Sequence, residues 1–125
     1  MRSDFNPRYR HSVNLEGNLQ PVGRTSIGVR VRNLSLGGAM IELPYRLVPG
    51  QPCVLRLALR DKDVPLEAHV VWSQVTDASQ EAAEADRVAC RSGLHFDPLL
   101  EHTEICLRDS LANLVQAHSP TTKPA

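Results

Sequence analysis

Aromatic residues are scarce in this chain, with one Trp, two Tyr and two Phe among 125 residues. An excess of charge is missing too: 14 Lys and Arg stand against 14 Asp and Glu, for a formal net charge of zero. Proteins that track single strands interleave a basic groove with stacking aromatics, and duplex binders carry a basic face. Neither resource is present across the chain, so DNA and RNA are not expected as partners. An oligonucleotide-binding barrel would also suit short strands, but it ranks last for this reason. No apolar run approaches the roughly 18 residues that a membrane-spanning helix needs, so no membrane insertion is expected. The opening MRSDFNPRYRHSV carries Arg with no apolar block behind it, unlike a signal peptide, and a cytoplasmic location is expected. Cysteine is limited to Cys53, Cys90 and Cys106, an odd number at wide spacing. They suit neither a disulfide framework nor a zinc site.

Catalytic patterns are likewise missing. There is no G-x-S-x-G elbow, and Gly37-Gly38 lacks the surrounding G-x-x-x-x-G-K-[ST] of a phosphate loop. The cysteines fall on faces expected to be buried or on a helix, where a thiol is inert. His69 and His95 both point outward on expected strands and are able to meet, but no third metal ligand is evident. Glu67 and Asp97 lack the apolar pocket that would separate the pKa values of a carboxylate pair. The expectation is a protein that is not an enzyme, with no cofactor and no metal.

What is present is a core and a strong period of two. Hydrophobic residues make up 42% of the chain, enough for one domain of this length. Val13, Leu15 and Leu19 begin the alternation. Ile27, Val29 and Val31 continue it, with Arg30 and Arg32 on the other face. Ala39, Ile41 and Leu43 form a third inward set, and Cys53, Leu55, Leu57 and Leu59 a fourth. Asp61-Lys62-Asp63 reads as a hairpin turn. Leu66, Ala68, Val70 and Trp72 then face inward, as do Val88, Cys90, Leu94 and Phe96. Residues 77–86 read as a solvated loop. At residue 101 the period changes: Leu107, Leu111, Leu114, Val115 and His118 fall at helical spacing, so a helix is expected over 101–117, and Leu100 precedes it in the same phase. Six short strands and one terminal helix predict a mainly β, antiparallel barrel or sandwich covered by the helix. The expected organisation is a flexible Arg-rich arm over 1–12, the barrel and helix over 13–117, and a disordered tail over 118–125.

The charge balance hides one asymmetry. Twelve of the fourteen basic residues are Arg, and six of them (2, 8, 10, 24, 30 and 32) precede residue 33, opposed there only by Asp4 and Glu16. Arg both forks onto phosphate and stacks on flat rings. Just past this stretch, Asn33-Leu34-Ser35-Leu36-Gly37-Gly38 separates two strands, with residue types that any turn uses.

Together these pieces resemble the PilZ domain family, whose members carry Arg-x-x-x-Arg before the first strand and Asp/Asn-x-Ser-x-x-Gly between two later ones. Asn33, Ser35 and Gly38 match the second motif. Pro49-Gly50, Val70-Val71-Trp72 and Gly93-Leu94-His95-Phe96 match later signals, so the likeness covers about residues 6–117. The resemblance implies a six-stranded antiparallel PilZ-type barrel with a C-terminal helix. It also implies binding of cyclic di-GMP and signalling to an effector protein in a bacterium. The site it implies comprises Arg8, Arg10, Asn33, Ser35 and Gly38, with Arg32 and Gly37 as possible additions. In that site guanidinium groups would engage the two phosphates and the guanines. Asn33 would meet a guanine edge, Ser35 would offer a hydroxyl, and Gly38 would allow a backbone shape closed to other residues. The sequence departs from the family at one place. Arg10 aligns with the second Arg of the first motif, but four residues earlier stands Asn6, with Arg8 displaced between them. The alternative expectation is therefore a degenerate PilZ protein that binds no cyclic di-GMP and acts as a protein adaptor, as in type IV pilus function.

Overall fold

The computed structural model describes residues 10–76 and 89–117, with side chains described as far as Asn113. The expected loop at 77–86, the tail over 118–125, Arg8, Val88 and His118 lie outside these residues. So do the side chains of Leu114 and Val115.

Six strands follow in order: β1 (His11–Pro21), β2 (Ile27–Leu34), β3 (Gly38–Leu43), β4 (Pro52–Leu59), β5 (Lys62–Val75) and β6 (Cys90–Phe96). A single helix, α1 (Glu101–Ala117), ends the described chain. All neighbouring strands are antiparallel, and the sheet closes in the order β1-β2-β3-β6-β5-β4. Closure leaves no strand edge unpaired, which removes the usual template for aggregation.

The period-two pattern explains the interior. Val29, Val31, Ile41, Leu43, Leu55, Leu57, Leu66 and Val70 all point inward and are buried. Leu107 and Leu111, one helical turn apart, are fully buried in the same core. The helix thus seals the interior with a narrow apolar stripe, while Leu100 and Ile105 stay exposed. Expecting Leu100 to follow the buried stripe was therefore incorrect: it precedes the first helical turn and faces away from the core.

Three local features depart from a plain alternation. β1 starts at His11, because His11 and Ser12 already pair with Leu34 and Asn33, so the strand reaches into the segment expected to be arm. The β4–β5 hairpin turns on Arg60 and Asp61, one residue before the expected tripeptide. Both have positive φ, 54° and 69°, as the primed two-residue turn requires, and Lys62 and Asp63 are already paired in β5. The third is a bulge in β5, where Val70 pairs with Leu94 but Trp72 pairs with Gly93. The extra residue, Val71, shifts the phase of the strand. Trp72 therefore stands half-buried on the outer wall, and the expectation that it faces inward is corrected.

The buried serines show how the interior treats polar groups. Ser35 is bonded within its turn, and Ser92 donates to Ser73 Oγ at 2.9 Å. Ser110 Oγ, on the helix face against the core, has no partner among the described residues. An orphaned buried hydroxyl costs about 1–3 kcal/mol. Ser110→Ala is accordingly expected to raise the unfolding free energy by about 1 kcal/mol, read as a higher urea midpoint at constant slope. A lower midpoint would show that the hydroxyl is bonded in solution.

Candidate functional site

The site begins with the turn that joins β2 to β3. Ser35 Oγ accepts the N–H groups of Gly37 (3.1 Å) and Gly38 (3.2 Å) and donates to the Gly38 carbonyl (3.4 Å). The Ser35 N–H also donates to that carbonyl, at 2.9 Å. Ser35 is 5% exposed. Its hydroxyl organises the turn, and Ser35 is also among the residues that line the cleft described below.

Gly38 then pairs with His95 on β6. A Cβ on Gly38 would overlap the Leu94 carbonyl oxygen and come within 3.4 Å of the His95 Cα. Close approach of two backbones is therefore what demands glycine here. Its φ is not positive, so the expected reason for Gly38, an unusual turn shape, is replaced by a steric one. The Gly37 carbonyl accepts the Phe96 N–H at 2.8 Å, locking the turn against β6.

Strand pairing lays two outward rows of residues beside this turn. One row runs Ser12, Asn33, Met40, Gly93 and Trp72; the other runs Gly38, His95 and His69. The Trp72 indole lies against Gly93, where a Cβ would come within 2.6 Å of Cε2 and 2.9 Å of Cδ1. The result is a cleft of about 330 Å³ on the outer wall. Gly37, Gly38 and Gly93 form a floor without side chains, and Arg10, Trp72 and His95 rise around it. The Trp72 ring covers Gly93, so the side open to a flat ring is the backbone at Gly37, with a guanidinium and an indole beside it.

The charges around the cleft are unequal. Arg30 is held by Asn14 (2.8 Å) and Glu16 (3.8 Å), and Arg24 stacks over Tyr45 at 4.8 Å. Both are engaged away from the cleft wall. Arg10 is exposed and lines the cleft. Arg32 is an exposed bulge residue between Val31 and Asn33 and does not line it. Asn33 shares the row of Gly93 and Trp72 but is separated from Gly93 by Met40, and it is not part of the lining either. Of the expected site, the structure thus brings Arg10, Gly37, Gly38 and the turn-forming Ser35 together.

Beyond His95, the Asp97 carboxylate faces His69 Nδ1 at 3.2 Å, and the His69 and His95 rings are 5.3 Å apart between centroids. The two histidines do meet. Among the described residues no group of three His, Cys, Asp or Glu is arranged to hold a metal. Asp97 pairs with His69 rather than with the Glu67 carboxylate; its N–H donates to the Glu67 carbonyl at 2.8 Å. Cys53 is buried, and burial, followed by the nearby Asp97 charge, pushes its thiol up to about 11. Burial also raises the Cys90 thiol, against a smaller opposite effect from Arg46. Neither is an activated nucleophile.

The model of the PilZ domain matches residues 2–113. The chain belongs to the PilZ domain family. No curated protein sequence matches it. Solved PilZ structures share its fold at low identity. The PilZ domain with c-di-GMP of YcgR from Escherichia coli is 14% identical, with a TM-score of 0.71 over 90% of this chain and 92% of that one. The PilZ domain of CeSA from a cellulose-synthesising bacterium is 16% identical, with a TM-score of 0.61 over 85% and 97%. The inhibitor of motility MotI/DgrA of Bacillus subtilis is 16% identical, with a TM-score of 0.69. This PilZ chain aligns over 97% of its own length with that protein but spans only 56% of it. Among the described residues no helix is long and apolar enough to cross a membrane.

Reading residues one at a time missed Trp72, Gly93 and His95 as cleft residues. Gly93-Leu94-His95-Phe96 was visible as a family signal. Its side chains join the cleft only through the β3–β6 pairing and the β5 bulge.

Proposed function

We propose that this PilZ protein is a bacterial, cytoplasmic cyclic di-GMP receptor that passes ligand binding to an effector protein without catalysis. The observation that carries the reading is the cleft itself. An exposed Arg10 overlooks the Gly37–Gly38 backbone and the Trp72-covered Gly93, next to the Ser35-braced turn. The family match and the c-di-GMP named in the YcgR structure supply the ligand class. In this reading Arg10, with Arg8 from the preceding segment, engages phosphate and guanine. Asn33 flanks the site one row position beyond Met40, and Arg32 adds to the local positive field.

Isothermal titration with cyclic di-GMP at moderate salt tests this. The expected result is saturable binding that weakens about tenfold to a hundredfold in Arg10→Ala, the cost of one charge-assisted contact. Binding unaffected by Arg10→Ala would move the site elsewhere. An absence of binding in the parent protein would favour the second reading, a ligand-free adaptor, for which Asn6 in place of the first motif Arg is the specific observation.

A further inference from the structure

Among the described residues, His95 is the one titratable group on the cleft margin besides Arg10, and it stands at the end of a short polar array. An ionised carboxylate only accepts, so Asp97 at 3.2 Å requires the hydrogen of His69 to sit on Nδ1. That fixes the His69 tautomer and holds its ring, tilted by 56°, next to His95.

Resting on the receptor reading above, we propose that His95 is a further ligand-binding residue, positioned by His69 and Asp97, which takes up a proton as the phosphate anion of cyclic di-GMP enters the cleft. The ligand's phosphodiesters stay anionic throughout the neutral range, whereas imidazole is the side chain that changes charge there. An imidazolium beside a phosphate is a charge-assisted donor; neutral imidazole gives only an ordinary contact. Among the described residues, the other groups facing His95 leave this sign intact. β3 contributes only Gly38 opposite it. β5 contributes His69, and Glu67 two residues along the same face. The start of β1 brings Arg10, which opposes the added charge but is itself drawn to the same anion. From α1, Glu104 lines the adjoining hollow with His95 and Asp97 and is paired with Arg108 at 3.0 Å.

The expected signature is tighter binding at lower pH. The dissociation constant for cyclic di-GMP should fall about three- to tenfold from about pH 8 to about pH 6. At neutral pH the observed enthalpy should depend on the ionisation enthalpy of the buffer, reporting net proton uptake. His95→Gln, an exposed substitution, should bind at both pH values with the pH dependence and the proton uptake removed. Asp97→Asn, which frees the His69 tautomer, should retain binding but weaken the pH dependence, an effect that a purely structural role would not produce. Parent protein that binds equally at both pH values without proton uptake, or a His95→Gln variant that keeps the dependence, would overturn the role of His95 alone. A parent protein that gives no heat with cyclic di-GMP in any buffer would overturn the receptor reading together with it.

Discussion

Gly38→Ala is expected to lower the unfolding free energy by about 3 kcal/mol, at the upper end of the usual cost of overpacking. The added methyl would enter the Leu94 carbonyl oxygen, which is backbone in the neighbouring strand and unable to rotate away. Relief requires β3 and β6 to separate where Gly38 pairs with His95 and Ala39 with Leu94. The Gly37 carbonyl bond to the Phe96 N–H would lengthen with them. The same movement lifts the floor of the cleft, so ligand affinity should fall with stability. Urea unfolding gives the first quantity and titration of the folded variant the second. A stability change below about 0.5 kcal/mol, the range of ordinary surface changes, would mean that the strands tolerate the methyl and that Gly38 has another role. Gly93→Ala makes an instructive contrast. Its methyl meets the Trp72 ring, a side chain with freedom to swing, so remodelling of the cleft should outweigh loss of stability.

Leu111→Ala is expected to cost about 2–5 kcal/mol, the range for emptying a fully buried leucine site. Leu111 and Leu107 are both fully buried and are the described helix leucines in the core cluster. Their neighbours belong to a closed barrel, which cannot collapse freely into the space left behind. For a domain of this size the loss should lower the melting temperature by roughly 10 °C. Binding of cyclic di-GMP to the remaining folded protein should change little, since neither leucine lines the cleft. A fall of less than about 1 kcal/mol would indicate that the helix detaches at small cost.

The alternation of the strands was legible because burial on one face demands a period of two. Cys53, Leu55, Leu57 and Leu59 alternate without interruption, and the structure buries all four. Trp72 was misread because a bulge inserts one residue and inverts the phase, and Val71 carries no mark that distinguishes it from a regular strand residue. Ser35 and Gly38 were legible as a motif but not in their physical roles. A hydroxyl that braces a turn and one that meets a ligand look alike in a sequence. A glycine needed for positive φ and one needed for close strand approach do too.

Composition and spacing by themselves determined a single mainly β domain with an Arg-rich beginning, a terminal helix and an Asn-x-Ser-x-x-Gly turn. Those properties follow from local chemistry: side-chain polarity, periodicity, and the residue types that turns accept. Which residues share a cleft was decided only by tertiary structure. Arg10, Gly38, Trp72, Gly93 and His95 come from three strands and the chain just before β1. Barrel closure, strand register and one bulge bring them onto the same outer wall. Register is set by the sum of all cross-strand contacts, so no short stretch of the sequence carries it.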